Sequence, residues 1–243
     1  MTVVVVVLEP LSADPLPRLV ETAPLDGAEA RVLYRSMVKD TLHAVATSQG
    51  DLLVNYPSPE RTEGDPEEAA RELAAEVESV TDARFEVQVG SSFAARVGNA
   101  VTHLLDREGA NTAAAVPGTA PLLERTVVDS AAMRLRRRGV VLGPDDRGGV
   151  YYAGFAEPIQ FSEAYAPPAV ESLARRAADA GHDVGFLRQL TTVATGRDLA
   201  AVIANVRARE AAGRPVPEHT AATVAALDLY VEYEDGEPGV GRA

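Results

Sequence analysis

The chain has 243 residues, a formal net charge of −13 and no cysteine. That length carries one large α/β domain with a substantial core, and a hydrophobic share of 46% marks a globular chain. The missing cysteines exclude disulfides, thiolate metal sites and cysteine nucleophiles, and no apolar run approaches the roughly 20 residues of a membrane span.

The acids number 36 and the bases 23; Lys39 is the one lysine and the other bases are arginine. Such a surface repels phosphate backbones, which argues against nucleic acid as a partner. It suits a halophilic protein, because salt screens self-repulsion, although a GC-rich genome would also favour arginine over lysine. Aromatic residues make up 5% of the chain and tryptophan is absent, so stacking platforms are scarce. The apolar start, Thr2 to Leu8, lacks a basic leader and a cleavage site, so it reads as a first strand rather than a signal peptide. A cytoplasmic location is the expectation.

Val3 to Leu8 is a β-branched run, the pattern of a strand buried on both faces of a parallel sheet. A proline-rich loop is expected over Pro10–Pro24. Asp26 is placed to cap a helix over about 28–48, with Val32, Leu33, Met37, Leu42 and Val45 along one face. Strands follow over 51–56 and 84–89, separated by a polar loop and a helix that Asp65 and Pro66 open. Ser91 or Ser92 starts a helix through Asp106, and 112–116 is a strand. A helix is expected over 121–138 and strands over 140–142 and 150–155. Helices over 168–180, 197–210 and 218–229 flank a short extended segment at 183–186. Residues 232–243 read as an acidic flexible tail, leaving 1–231 as a single domain.

Alternating strands and helices predict a three-layer α/β/α sandwich, Rossmann-like, with a mostly parallel central sheet. Ligands of such sheets sit beyond the carboxyl ends of the strands. Those ends are 8–18, 117–121 and 143–149. The last is the richest: Gly143-Pro144-Asp145-Asp146-Arg147-Gly148-Gly149 joins two apolar runs, and its glycines permit φ > 0 and close approach of backbone to a ligand. The plain alternative is an ordinary glycine-rich turn.

Several segments, in order, resemble a family of mostly uncharacterised glycosyltransferase-like proteins in the nucleotide-diphospho-sugar transferase superfamily, with the GT-A fold. They are residues 30–42 with Leu33-Tyr34 and Asp40-Thr41-Leu42, 93–101 with Arg96, Gly118-Thr119, 143–154, and Asp198-Leu199. The likeness spans about 3–205, and 2-phospho-lactate guanylyltransferases are more distant relatives of the same kind. The resemblance implies a transferase acting on a nucleotide-activated sugar, or a binder of nucleotide sugar or sugar phosphate, with Mg²⁺ or Mn²⁺ held by carboxylates.

The departures bear on that ion. Where the resemblance implies Gly-Thr-Asp, Gly118-Thr119 is followed by Ala120; where it implies Asp-Gly-Gly, Arg147 precedes Gly148-Gly149. Where it implies Asp-Val-Asp-Thr, the chain reads Thr192-Val193-Ala194-Thr195. A leaving diphosphate needs its charge neutralised, and hard divalent ions on carboxylates usually do this. An arginine can do it bidentately without metal. Arg147 is therefore either a substitute cation or a surface arginine in a turn; no residue is assigned as a metal ligand, and Mg²⁺ or Mn²⁺ stays open without the usual acids.

Asp145 and Asp146 are the candidate catalytic acids, as metal ligands, ribose acceptors or simply solvated turn residues. Arg18, Arg96 and Arg147 are candidate phosphate contacts, and Ser12, Gly118, Thr119, Gly143, Gly148 and Gly149 candidate substrate contacts. Arg18 lies in a stretch that matches the resemblance's phosphate-side loop, without its lysine. The four histidines are scattered, which excludes a zinc spacing. No Gly-x-Ser-x-Gly elbow or P-loop is present, and the run Arg134–Arg138 complements a helix dipole. Three functions stay open: a transferase, a non-catalytic nucleotide or sugar-phosphate binder, and a structural relative. A homo-oligomer is compatible with each.

Overall fold

The computed structural model describes residues 1–12 and 15–243. Seven strands form one sheet: β1 (Thr2–Val7), β2 (Asp51–Tyr56), β3 (Arg84–Val87), β4 (Thr112–Pro117), β5 (Val140–Pro144), β6 (Val150–Phe155) and β7 (Val184–Phe186). Their order is β3-β2-β1-β4-β6-β5-β7. Every pairing is parallel except those of β6, which runs against both β4 and β5. The mostly parallel sheet expected from the sequence is thus present. The reversed β6 begins at the rim where the other strands end.

The β-branched run of β1 is buried along its whole length, because both faces of the sheet are covered. Val4, Val6 and Leu8 point to one core; Val3, Val5 and Val7 point to the other. Helices α1 (Pro17–Thr22), α2 (Gly27–Ala46), α3 (Pro66–Ala75), α5 (Arg125–Leu135), α7 (Gly196–Ala211) and α8 (Glu218–Ala226) add side chains to the first core. The second lies under α4 (Phe93–Asp106) and α6 (Ala169–Asp179).

The caps read from the sequence form. Asp26 accepts from the N–H groups of Ala28 and Glu29, and Glu29 answers on the N–H of Asp26, completing a capping box. Asp65 and Ser92 cap α3 and α4.

Two expectations need correction. The loop 10–24 contains α1, which Pro17 opens at its first turn; Ala13 and Asp14 of that loop lie outside the described residues. Residues 232–243 do not form a flexible tail. Strand β8 (Leu229–Glu234) pairs antiparallel with β9 (Glu237–Arg242), and Leu229 and Val240 are buried in the first core. Asp235 and Gly236 turn the hairpin with φ of 51° and 85°, the conformation that an Asp-Gly pair adopts in tight hairpins. The preceding helix accordingly stops at Ala226 rather than at 229, and the helix expected over 121–138 occupies only Arg125–Leu135.

Candidate functional site

The rim where β1, β4 and β5 end carries two clusters of charged side chains. The first is built on the turn between β5 and β6. The Asp145 N–H donates to the Gly149 carbonyl at 3.0 Å, and its Oδ1 accepts from the N–H groups of Gly149 at 2.6 Å and Arg147 at 2.9 Å. Oδ2 accepts from the Thr192 hydroxyl at 2.8 Å. A Cβ at position 149 would lie 2.5 Å from that Oδ2, so only glycine lets the carboxylate close the turn. Gly148 sits at φ +79°, the left-handed region. Gly143, at the end of β5, lies under the Tyr151 ring, which a Cβ would meet at 2.5 Å. Tyr151 donates to the Arg188 carbonyl at 2.7 Å, and burial pushes its phenol up to about 12.

Asp145 is buried with its oxygens committed to this turn, whereas Asp146 is exposed, 3.4 Å from the Thr191 hydroxyl. Asp146 is the acid of this pair that remains available to a ligand.

Arg147 is held across the turn. Its Nη1 lies 2.9 Å from Asp198 Oδ2 and its Nη2 donates to Thr192 Oγ1 at 2.9 Å. Asp145 Oδ2 stands 3.8 Å away. The guanidinium therefore lies between two buried carboxylates, while 37% of its side-chain surface stays open to solvent. Asp198 is itself fixed at the start of α7. Its Oδ2 accepts from the N–H groups of Ala194 at 3.0 Å and Thr195 at 2.8 Å and from the Thr195 hydroxyl at 2.8 Å. This capping box puts a negative charge at the positive end of the helix dipole.

Backbone contacts draw the remaining loops to this point. The Val193 N–H donates to the Thr119 carbonyl at 2.9 Å, joining the segment before α7 to the end of β4. The Gly196 N–H donates to Thr22 Oγ1 at 2.8 Å, docking α1 on the start of α7. Arg18, one turn earlier on α1, is exposed and has no ion pair among the described residues. Gly118 is packed beneath Val38 and Tyr34, where a Cβ would come within 2.6 Å and 3.1 Å of their side chains. The Tyr34 hydroxyl accepts the Glu9 N–H at 2.7 Å, tying the ends of β1 and β4 to α2.

The second cluster surrounds Glu9, after β1. Arg61 lies 3.1 Å from Glu9 Oε2 and donates to Gln88 Oε1 at 2.7 Å. Gln88 is anchored in turn on the carbonyls of Leu8 and Asn55. Arg96, on α4, is 3.6 Å from Glu9 Oε1, with its side chain only 8% exposed. Its Nε is buried without a hydrogen-bond partner. Burial, and then the neighbouring Arg61, hold the Arg96 guanidinium below the usual arginine range. Two guanidiniums thus share one carboxylate, and one of them keeps an unused donor. Ser12 lies beside this corner, its hydroxyl 2.6 Å from Thr62 Oγ1.

Asp145, Arg147, Gly148, Gly149 and Thr119 therefore gather with Thr192 and Asp198, while Arg96 joins Glu9, Arg61 and Gln88. Sequence reasoning passed over Arg61, although it follows the end of β2 on the same rim. It also passed over Asp198 as a partner, although Thr195-x-x-Asp198 is a readable capping box.

A divalent ion, which the resemblance implies, does not fit these residues. The position expected to supply an acid after Thr119 is Ala120, 1% exposed within the core. Asp145 is spent on its turn and Asp198 on its helix and Arg147. Among the described residues no group of three histidine or acidic side chains is placed to hold a metal ion. No helix of the described residues is long and apolar enough to cross a membrane.

The profile of the family described as "Uncharacterized protein conserved in bacteria (DUF2064)" matches residues 43–166, just over half of the chain. Among solved structures, a candidate nucleotide-diphospho-sugar transferase from Desulfovibrio desulfuricans G20 is similar at 20% identity and a TM-score of 0.73, covering 93% of this chain and 95% of that one. A cytidylyltransferase from Leptospira borgpetersenii is similar at 9% identity and a TM-score of 0.52, covering 93% and 94%. The 4-diphosphocytidyl-2C-methyl-D-erythritol synthase from Anaerococcus prevotii follows at 12% identity and 0.50, covering 85% and 96%. These likenesses establish the nucleotide-diphospho-sugar transferase-like fold. No curated protein matches the sequence.

Proposed function

The chain belongs to the DUF2064 family, and from that premise we propose that it binds a nucleotide-activated sugar or sugar phosphate at the strand-end rim, with arginines in place of a divalent cation. The observation that carries this reading is the Arg147 guanidinium, lodged between Asp145 and Asp198 on a side chain that stays 37% exposed. A fixed guanidinium presents donors in a planar fork that matches phosphate oxygens. Arg96 and Arg61, sharing the one carboxylate of Glu9, supply a net positive corner and Arg18 an exposed cation, so a diphosphate reaching from Arg147 toward that end of the rim would meet positive charge in an otherwise acidic protein.

Transfer chemistry would need an acid or base facing the acceptor, and Asp146 is the carboxylate of the turn that is free to serve. Asp145 acts by positioning the turn. The alternative, a relative that binds without turnover, is favoured by the same commitment of Asp145 and Asp198 to structure. The probes are UDP-, GDP- and dTDP-sugars, as nucleotide-diphospho-sugars, and CTP, as the nucleotide of a cytidylyltransferase.

Calorimetric titration with these probes, in EDTA and in Mn²⁺, tests the proposal. Saturable binding of equal strength in both supports it. Binding that appears only with Mn²⁺, or no binding to any probe, overturns it. Product formation under the EDTA condition separates a transferase from a binder.

A further inference from the structure

We infer that a cavity of about 610 Å³ between α2, the β4–α5 loop and the α7–α8 loop binds a small organic anion with an apolar body. Its size falls within the roughly 300–1,000 Å³ of small-molecule sites. Ala44, Leu122 and Leu123 lie on its wall, as does Val216 on the loop before α8. This apolar lining gives an uncharged group somewhere to be buried.

Four arginines line the same cavity: Arg125, Arg188, Arg209 and Arg214. Arg188 and Arg209 share the single carboxylate of Glu124, at 3.1 Å and 2.7 Å. Asp40, another lining acid, is turned away into α8. Its Oδ1 accepts the His219 N–H at 3.0 Å, and its Oδ2 accepts the Thr220 N–H at 2.7 Å and the Thr220 hydroxyl at 2.5 Å. Glu218 lies exposed in the first turn of α8. Arg125 and Arg214 have no ion pair among the described residues; Arg125 only reaches the Thr47 carbonyl, at 3.5 Å. Two uncommitted guanidiniums beside an apolar wall, in a chain of net charge −13, select an anion. The apolar wall selects one that carries a hydrophobic group.

The cavity adjoins the rim at Pro121 but shares none of its charged side chains. Neither Arg147 nor Arg96, nor any residue that touches them, lines it. Binding here therefore stands or falls independently of the nucleotide reading.

Phenyl phosphate titrated into the ¹⁵N-labelled full chain, followed by amide shifts, tests this, with inorganic phosphate and benzyl alcohol as controls. Saturable shifts are expected at Leu122–Thr126 and at Val216, Glu218 and His219, with affinity at least tenfold above either control. The double variant Arg125→Ser/Arg214→Ser should weaken binding at least tenfold without moving the melting temperature; should it melt lower, Arg214→Ser alone should weaken binding at least threefold. Shifts confined to the Arg147 turn, equal affinity for a control, absence of binding, or unchanged affinity in the variants would overturn the inference.

Discussion

Arg147 and Asp198 form an ion pair at 2.9 Å that joins the β5–β6 turn to the first turn of α7. The pair is asymmetric. The Asp198 side chain is 4% exposed and its carboxylate holds three further donors, whereas the Arg147 side chain is 37% exposed. The acid is structural and fixes the cation, and the cation faces outward.

Arg147→Met should weaken nucleotide-sugar binding at least tenfold, measured by calorimetry, with no rescue by Mn²⁺. Removing the cation leaves a buried carboxylate with helix donors only, which should cost about 1–2 kcal/mol once the exposure of the guanidinium is discounted. Arg147→Asp should also lose affinity, and Mn²⁺ should not restore it, because Asp145 and Asp198 stay committed to their own donors.

Ala120→Asp restores the acid that the resemblance implies and should not restore a metal site. Position 120 is buried in the apolar core, so a carboxylate there is desolvated without a partner. A loss of about 3 kcal/mol is expected, and with it a fall of about 6–12 °C in the melting temperature for a chain of this size. Calorimetry with and without Mn²⁺ measures both; a melting temperature raised by the ion would count against the prediction.

Gly118→Ala should disturb the rim without touching a charge. The added methyl would meet Val38 at 2.6 Å and crowd the Tyr34 hydroxyl, which holds the Glu9 N–H. Overpacking of this kind costs about 1–3 kcal/mol. Denaturant unfolding and the near-ultraviolet tyrosine signal report it.

Acid should release Glu124. Burial raises its pKa, but the hydrogen bond from Arg209 and the charges of Arg188 and Arg209 together hold it below the usual glutamate range. A carboxyl whose pKa is lower folded than unfolded stabilises fully above the unfolded value, and that contribution disappears as pH falls through the folded value. Glu124 is over a third exposed, so the effect should be about 1 kcal/mol or less. Melting curves from pH 7 to pH 3 should show a shallower acid decline for Glu124→Gln than for the parent.

Leu229→Ala should destabilise by about 3 kcal/mol, a core truncation rather than a change in a tail. Leu229 is 2% exposed, its carbonyl accepts from Arg207, and β9 packs on α7. Deleting 229–243 should cost more than the point substitution. Equal melting temperatures for the parent and the deletion would contradict this.

The sheet was legible because its strands are short apolar runs between capped helices. Val3–Leu8 announced burial on both faces, and Asp26, Asp65 and Ser92 announced helix starts. Helix α1 was not legible, since six residues are too few to show a period and the stretch around them carries Pro10, Pro15, Pro17 and Pro24. The hairpin was misread because Glu232, Glu234 and Glu237 looked solvated. The alternation of Leu229, Val231 and Tyr233 and the Asp235-Gly236 turn carried the opposite signal. At the rim, the turn glycines could be read, since Gly148 needs φ > 0 and Gly149 leaves room for Asp145. The pairing of Arg147 with Asp198 could not, because it depends on two loops meeting through Asp145 and Thr192 rather than on any local spacing.

The guanidinium of Arg147 is part of the chain. A positive charge tethered in this way cannot drift off with a departing product and needs no supply from the surrounding medium. Its strength is set by how firmly two neighbouring acids hold its rotamer, so occupancy of the rim would follow ligand concentration alone.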